Sequence, residues 1–240
     1  VEVDMTKLFS IRRWMQLFGD FDQFLAGMKT TLIVALLGLL TALALGILFG
    51  VLSSVKIKIL PWLARIYVEF FQNTPLVVQV FFYSFGLPFI GIRVPDLMVG
   101  VLGVGLYHGA YIAEVVRNGI EAVPRGQVEA AESQGFGHIQ VMGYIVLPQT
   151  LKIILPPLTN QAMNLIKNTS VLAMIAGMDI MYYAKSWAGN NGFFYQGYLS
   201  AGLLYFILCY PLAKLTARLE QKAKQATPRK NTGNGLEAGV

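Results

Sequence analysis

The chain has 240 residues, of which 55% are hydrophobic and only 13% charged, and it carries a formal charge of +6. Soluble domains carry about a quarter charged residues, so this composition excludes an ordinary water-facing surface. The basic excess does not read as nucleic-acid binding, because the cations sit at the ends of apolar runs and in the tail, where a bilayer protein keeps them.

In residues 1–26, Lys7, Arg12, Arg13, Asp20 and Asp22 alternate with Leu8, Phe9, Ile11, Trp14, Leu17 and Phe18. That pattern predicts an amphipathic helix lying on the membrane surface, with a disordered leader as the alternative. Residues 32–51 contain no charge. About 20 apolar residues at 1.5 Å each cross the ~30 Å hydrocarbon core. A buried helix of a soluble protein would not be followed by further such runs, and a signal peptide has a shorter apolar core.

Five spans are expected. The first covers 27–53. The second rises through 60–71, breaks at Thr74-Pro75 and continues to Phe85. The third covers 95–116. The fourth, 151–181, is irregular, with Pro156-Pro157 early and Lys167-Asn168-Thr169-Ser170 midway. The fifth covers 195–215, with Pro211 near its end. The fold class is therefore an all-α integral membrane protein with five transmembrane helices, its membrane domain covering 27–220. Cys209, the single cysteine, lies in the last span and reads as a small apolar filler. Residues 221–240 form a tail; from Gln225 on it is rich in Thr, Pro, Asn and Gly without an apolar period, which predicts disorder.

Lys and Arg set the expected orientation. Lys214, Arg218, Lys222, Lys224, Arg229 and Lys230 place the C-terminus in the cytoplasm, and five spans then place the N-terminus outside. The turn with Lys56, Lys58 and Arg65 falls inside, as does 117–144, while 91–95 and 185–194 fall outside with one cation each. Lys7, Arg12 and Arg13 run against this rule.

The inner loop, about 119–148, is the most informative segment. Residues 127–134 are mostly good helix formers. Gly135 follows at a position suited to a left-handed helix end, and Phe136, Ile139, Val141 and Met142 open a second short helix that stops before Pro148. The expected object is a helix–turn–helix outside the bilayer, in which Ala130 and Ala131 permit close approach. It serves either as a docking element or as a loop packed on the protein itself.

The run Glu129-Ala130-Ala131, Gly135 four residues on, and Ile145-Val146-Leu147-Pro148 resemble the EAA loop of binding-protein-dependent ABC importer permeases of type I. The stretches 67–79 (YVEFFQNTPLVVQ), 110–117 (AYIAEVVR) and 164–170 (NLIKNTS) are similar to the polar amino acid uptake branch of that family, although Gln72-Asn73 stands where many relatives carry Arg-Gly. The likeness covers 27–220. It implies two permease subunits, identical or homologous, above two ATP-binding subunits, with an extracytoplasmic amino-acid-binding protein, all at a bacterial plasma membrane. It also implies that Glu129, Ala130, Ala131, Gly135 and Phe136 couple to the ATPase. The chain has no Gly-x-x-x-x-Gly-Lys-Ser/Thr loop, so ATP and Mg²⁺ belong to the partner and no cofactor is expected here.

Polar groups at membrane depth are costly unless paired or facing water. The candidates for a substrate pathway are Gln79, Tyr107, His108, Asn160, Gln161, Asn164 and Asn168, with Lys167 at the interruption of the fourth span. Gln161, Asn164 and Asn168 share one helical face. Packing hydrogen bonds between subunits are the alternative use. The resemblance favours Gln79, Tyr107, His108 and Gln161. Glu69, Glu114 and Arg117 are expected to form salt bridges near the inner boundary, and Lys167 to pair with Asp179 or with backbone carbonyls. With no carboxylate mid-span, the lining suits acidic or amide amino acids such as glutamate or glutamine. The competing readings are an ion-gradient-driven transporter, which usually needs more spans, and a non-transporting membrane scaffold. No metal or Ser–His motif points to an enzyme.

Overall fold

The computed structural model describes residues 9–55, 57 and 59–226. The start of the N-terminal segment, the loop cations Lys56 and Lys58 and the tail from 227 onward lie outside the described residues. Among the described residues every regular element is helical.

Helix α1 (Ile11–Gly19) ends at Asp20, and α2 (Phe21–Ser53) follows at once. At 33 residues α2 is longer than the expected span and begins six residues earlier; at 1.5 Å per residue it is about 50 Å long. The amphipathic pattern of α1 is used on both sides. Leu17 is buried with Phe24, Ile180 and Trp187, while Ile11, Met15 and Phe18 face outward.

Helix α2 packs along α5 (Asp96–Glu121) through small residues. A Cβ on Gly50 would lie 2.6 Å from the Val116 Cβ, so only glycine allows the two backbones this approach. Small residues at helix crossings are the membrane solution to packing without a hydrophobic drive between helices.

The second span is the pair α3 (Ile59–Gln72) and α4 (Leu76–Phe81), with α4 running on through a π turn and a 3₁₀ turn to Ile90. The two halves are bent by 95°. Pro75 lacks an N–H, so the carbonyl of Phe71, four residues back, loses its helical donor. The Gln79 amide replaces it, donating to the Phe71 carbonyl at 3.1 Å and the Thr74 carbonyl at 3.0 Å.

Helices α6 (Arg125–Ser133) and α7 (His138–Val141) form an elbow, and a π turn leads into α8 (Leu147–Asn168), whose last turns to Met174 are 3₁₀. The fourth span therefore begins earlier than expected and stays helical through Pro156 and Pro157. The Thr159 hydroxyl donates back to the Pro156 carbonyl at 2.7 Å in that region. It ends at Met174 rather than 181, because Ala176 and Met178 turn left-handed, at φ 57 and 54. Asp179 then caps α9 (Ile180–Asn191), accepting from the Met181 and Tyr182 amides at 3.1 and 3.0 Å. Residues 185–194, read as an outer loop, thus belong largely to a helix; the cue was an Asp ahead of an apolar run. Helix α10 (Phe194–Ala226) passes through Pro211 and completes the bundle. Among the described residues four helices are long and apolar enough to cross a membrane, and the bent pair α3–α4, taken as one span, is a fifth by length and composition.

Candidate functional site

Where α5 crosses α8, His108 is 2% exposed and bridges two turns of α8. Its Nδ1 lies 3.0 Å from Gln161 Oε1, and its Nε2 lies 3.0 Å from Asn168 Nδ2. A carbonyl oxygen only accepts and an amide nitrogen only donates. With both amides oriented this way, Nδ1 donates to Gln161 and Nε2 accepts from Asn168. Residues 161 and 168 are two helical turns apart, which brings both amides onto one stripe of α8.

Beside this relay, Tyr107 and Tyr111 hydroxyls lie 3.1 Å apart on α5. Together with His108, Gln161, Asn164, Lys167 and Asn168 they line a cavity of about 420 Å³. That volume falls in the range of about 300–1,000 Å³ typical of small-molecule sites. Among the described residues no carboxylate lines it. Five of the seven expected pathway residues, Tyr107, His108, Gln161, Asn164 and Asn168, meet here. Tyr111 joins them unannounced, although its place one turn beyond Tyr107 on the same face was a usable signal.

Gln79 and Asn160 stand apart from the cavity. Gln79 is buried at the α3–α4 break, where its amide stitches freed carbonyls. Asn160 is half-buried on α8, outside the lining. The expected Lys167–Asp179 pair does not form. Asp179 instead accepts from Tyr205 Oη at 2.8 Å and from two backbone amides, and Lys167 is left exposed at the cavity.

Toward the elbow end, Arg117 lies 3.1 Å from Glu121 and 3.7 Å from Glu114, and Arg65 lies 3.9 Å from Glu69. Gln72 donates to Glu114 at 3.0 Å. These side chains are partly or largely exposed, so they set local geometry more than stability.

The elbow is built from backbone geometry. Gly135, at φ 86, donates to the Glu132 carbonyl at 3.0 Å, and the Phe136 amide donates to the Ala131 carbonyl at 3.2 Å. This paired closure is a Schellman end to α6. Gln140 accepts from the Gly137 amide at 2.8 Å to start α7. Ala131 is buried with Val123, Val141 and Val146, and Phe136 packs on that cluster. Gln149 ties α6 to α8 through Gln127 at 2.8 Å. Of the expected coupling residues, Glu129, Ala130 and Gly135 are therefore presented on the surface, whereas Ala131 and Phe136 hold the elbow from within.

A five-span helical bundle with a polar cavity between spans and a small helical elbow at one end defines a membrane transport component. Residues 42–225 match the family described as binding-protein-dependent transport system inner membrane component, and the chain belongs to that family. It is 38% identical over 210 residues to the probable glutamine ABC transporter permease protein GlnM of Bacillus subtilis (strain 168), covering 88% of this chain and 97% of the relative. The probable amino-acid ABC transporter permease protein YckA of the same bacterium is 33% identical over 203 residues, 85% of this chain and 90% of that one. Among solved structures, one described as an amino acid ABC transporter with histidines superimposes with a TM-score of 0.81 at 28% identity, covering 87% of this chain and 97% of that one. An inward-facing MetNI methionine ABC transporter shares the fold, with a TM-score of 0.71 at 18% identity over 84% of this chain and 96% of that one.

Proposed function

We propose that this chain forms half of the translocation pathway of an ATP-driven importer for polar amino acids of the glutamine and glutamate type. The observation that carries the reading is the cavity around His108, polar at membrane depth and free of carboxylates. Amide and phenol groups there both donate and accept, which suits the mixed charges of an amino acid, and the imidazole holds the Gln161 and Asn168 amides at fixed spacing. The names of the relatives, glutamine and amino-acid permeases, support the same substrate class.

In this reading ATP and Mg²⁺ are bound by two separate ATP-binding subunits, which take hold of the elbow through its exposed Glu129 and Ala130. A second permease, identical or homologous, supplies the other half of the pathway, and an extracytoplasmic binding protein delivers substrate. The elbow and C-terminus face the cytoplasm of a bacterium, and the N-terminus lies outside, as the Lys and Arg distribution favours. Lipid covers outward side chains such as Leu36 and Leu40. Nucleotide binding differs between the two states of the ATPase pair, and that difference drives rigid-body rocking of the permease halves.

The test is competition for ATP-driven uptake into vesicles carrying the complete importer. Glutamine or glutamate should displace labelled substrate; exclusive transport of arginine and lysine would overturn the assignment.

A further inference from the structure

A second cavity, of about 510 Å³, adjoins the first. Asn168, which bonds to His108, borders both and stands as the partition between them. The second cavity is lined by Leu76 of the α3–α4 break, by Ser170, Met174 and Met181, and by Lys185 of α9. Two flexible methionines beside the partition make a wall that re-packs at small cost. Lys185 stands exposed at its edge.

The charge along the two cavities is one-sided. Lys167 lines the first and Lys185 the second, and among the described residues no carboxylate lines either cavity. Among the described residues neither ammonium forms an ion pair. Asp179, the buried carboxylate between these two lysines in sequence, is already held by Tyr205 and two backbone amides. A second copy of the chain would add the same groups and leave the sign unchanged.

From this juxtaposition we infer that the adjoining cavities form one route selective for amino acids of net negative charge, with Lys185 at its mouth and Lys167 at the His108 cavity as the discriminating cations. The inference rests on the amino-acid importer reading and narrows it. A zwitterion brings one carboxylate for two cations. An acidic amino acid brings two, and leaves its ammonium to the amide oxygens of Gln161 and Asn164. Cations lining a cavity between low-dielectric walls also raise the local concentration of anions.

The test uses the complete permease–ATPase complex in nanodiscs without the binding protein, so that the permease alone selects. Binding of labelled glutamate and glutamine is measured in parallel. The unaltered complex is expected to prefer glutamate. Lys167→Gln should reduce the glutamate-to-glutamine affinity ratio about tenfold, the order expected for one charge-assisted hydrogen bond. Lys185→Gln, at an exposed position that does not threaten folding, should reduce the ratio about threefold, in keeping with a screened surface charge. Lys→Arg at either position should keep the preference. Equal affinity for the two ligands in the unaltered complex, or an unchanged ratio in both Gln variants, overturns the charge assignment and leaves the importer reading standing. Failure of any polar amino acid to bind or to be transported would instead sink the importer reading itself.

Discussion

The elbow and the His108 cavity hold their shapes by different means. In the elbow, α6 closes with two backbone hydrogen bonds around Gly135, over a small cluster of Val123, Ala131, Val141 and Val146. Val128, Phe136, Met142 and Ile145 pack on that cluster, and most of the remaining side chains point to solvent, so the outer surface is free to change without cost to the frame. In the cavity the frame and the working surface are the same atoms, because the amides that position His108 also line the space. The difference separates two kinds of fault. Surface changes on the elbow should disable docking and spare folding, whereas changes in the cavity should affect transport and stability together.

The largest effect should come from the elbow surface. Glu129→Lys reverses a charge on an exposed face, and Ala130→Asp adds a carboxylate beside it. Each should cut recovery of the co-purified ATPase by about tenfold or more, since one misplaced charge at an interface costs a few kcal/mol. The amount of permease inserted in the membrane should stay near normal. Normal ATPase recovery with both variants would break the separation between docking surface and frame.

Next is Gln161→Leu, which removes the acceptor from His108 Nδ1. A buried donor left unpaired costs about 1–3 kcal/mol, although hydrogen bonds between membrane helices average only ~0.6 kcal/mol. Thermal unfolding in detergent should therefore show a modest loss, while substrate-stimulated ATP hydrolysis is abolished with the complex still assembled. Retained stimulation would favour a non-transporting role for the cavity.

The sequence-level reading and the structure part company at particular residues. Uncharged runs made the spans legible, because a bilayer demands length and apolarity and little else. The cavity was legible through helical spacing, since Gln161, Asn164 and Asn168 can only share a face of α8. Gln79 lies apart from the cavity, and a polar side chain inside a span signals only that it needs partners. Its partners are the carbonyls freed by Pro75, and the 95° bend that gathers them is a three-dimensional fact. Lys167 and Asp179 looked like a pair by charge alone, but Asp179 is satisfied by capping α9 and by Tyr205, which lies on another helix. Phe136, expected by resemblance among the coupling residues, follows a left-handed glycine and packs on the elbow cluster.

A smaller effect is expected at the helix break. Gln79→Leu deprives the Phe71 and Thr74 carbonyls of their donor, but it also removes an Oε1 that has no hydrogen-bond partner among the described residues. The two changes oppose each other, so a net loss of about 1 kcal/mol is expected. It should appear as a small drop in melting temperature, with little change in the glutamate-to-glutamine affinity ratio. A large change in that ratio would return Gln79 to the pathway.

The most local effect should be that of Gly135→Ala, confined to one turn, and it tests the frame of the elbow alone. A Cβ on Gly135 would meet nothing within 4 Å, so there is no clash to relieve. The cost comes only from holding a side-chain-bearing residue at φ 86, about 1–2 kcal/mol for an L-residue in the left-handed region. The Schellman closure of α6 should loosen, and amide exchange at Gly135 and Phe136 should quicken without a change in membrane yield. Asn tolerates this backbone better than Ala, so Gly135→Asn should recover part of the loss in both exchange and ATPase co-purification. If Ala and Asn behave alike, the left-handed turn is not what shapes the elbow, and its docking surface must be held by the apolar cluster around Ala131 instead.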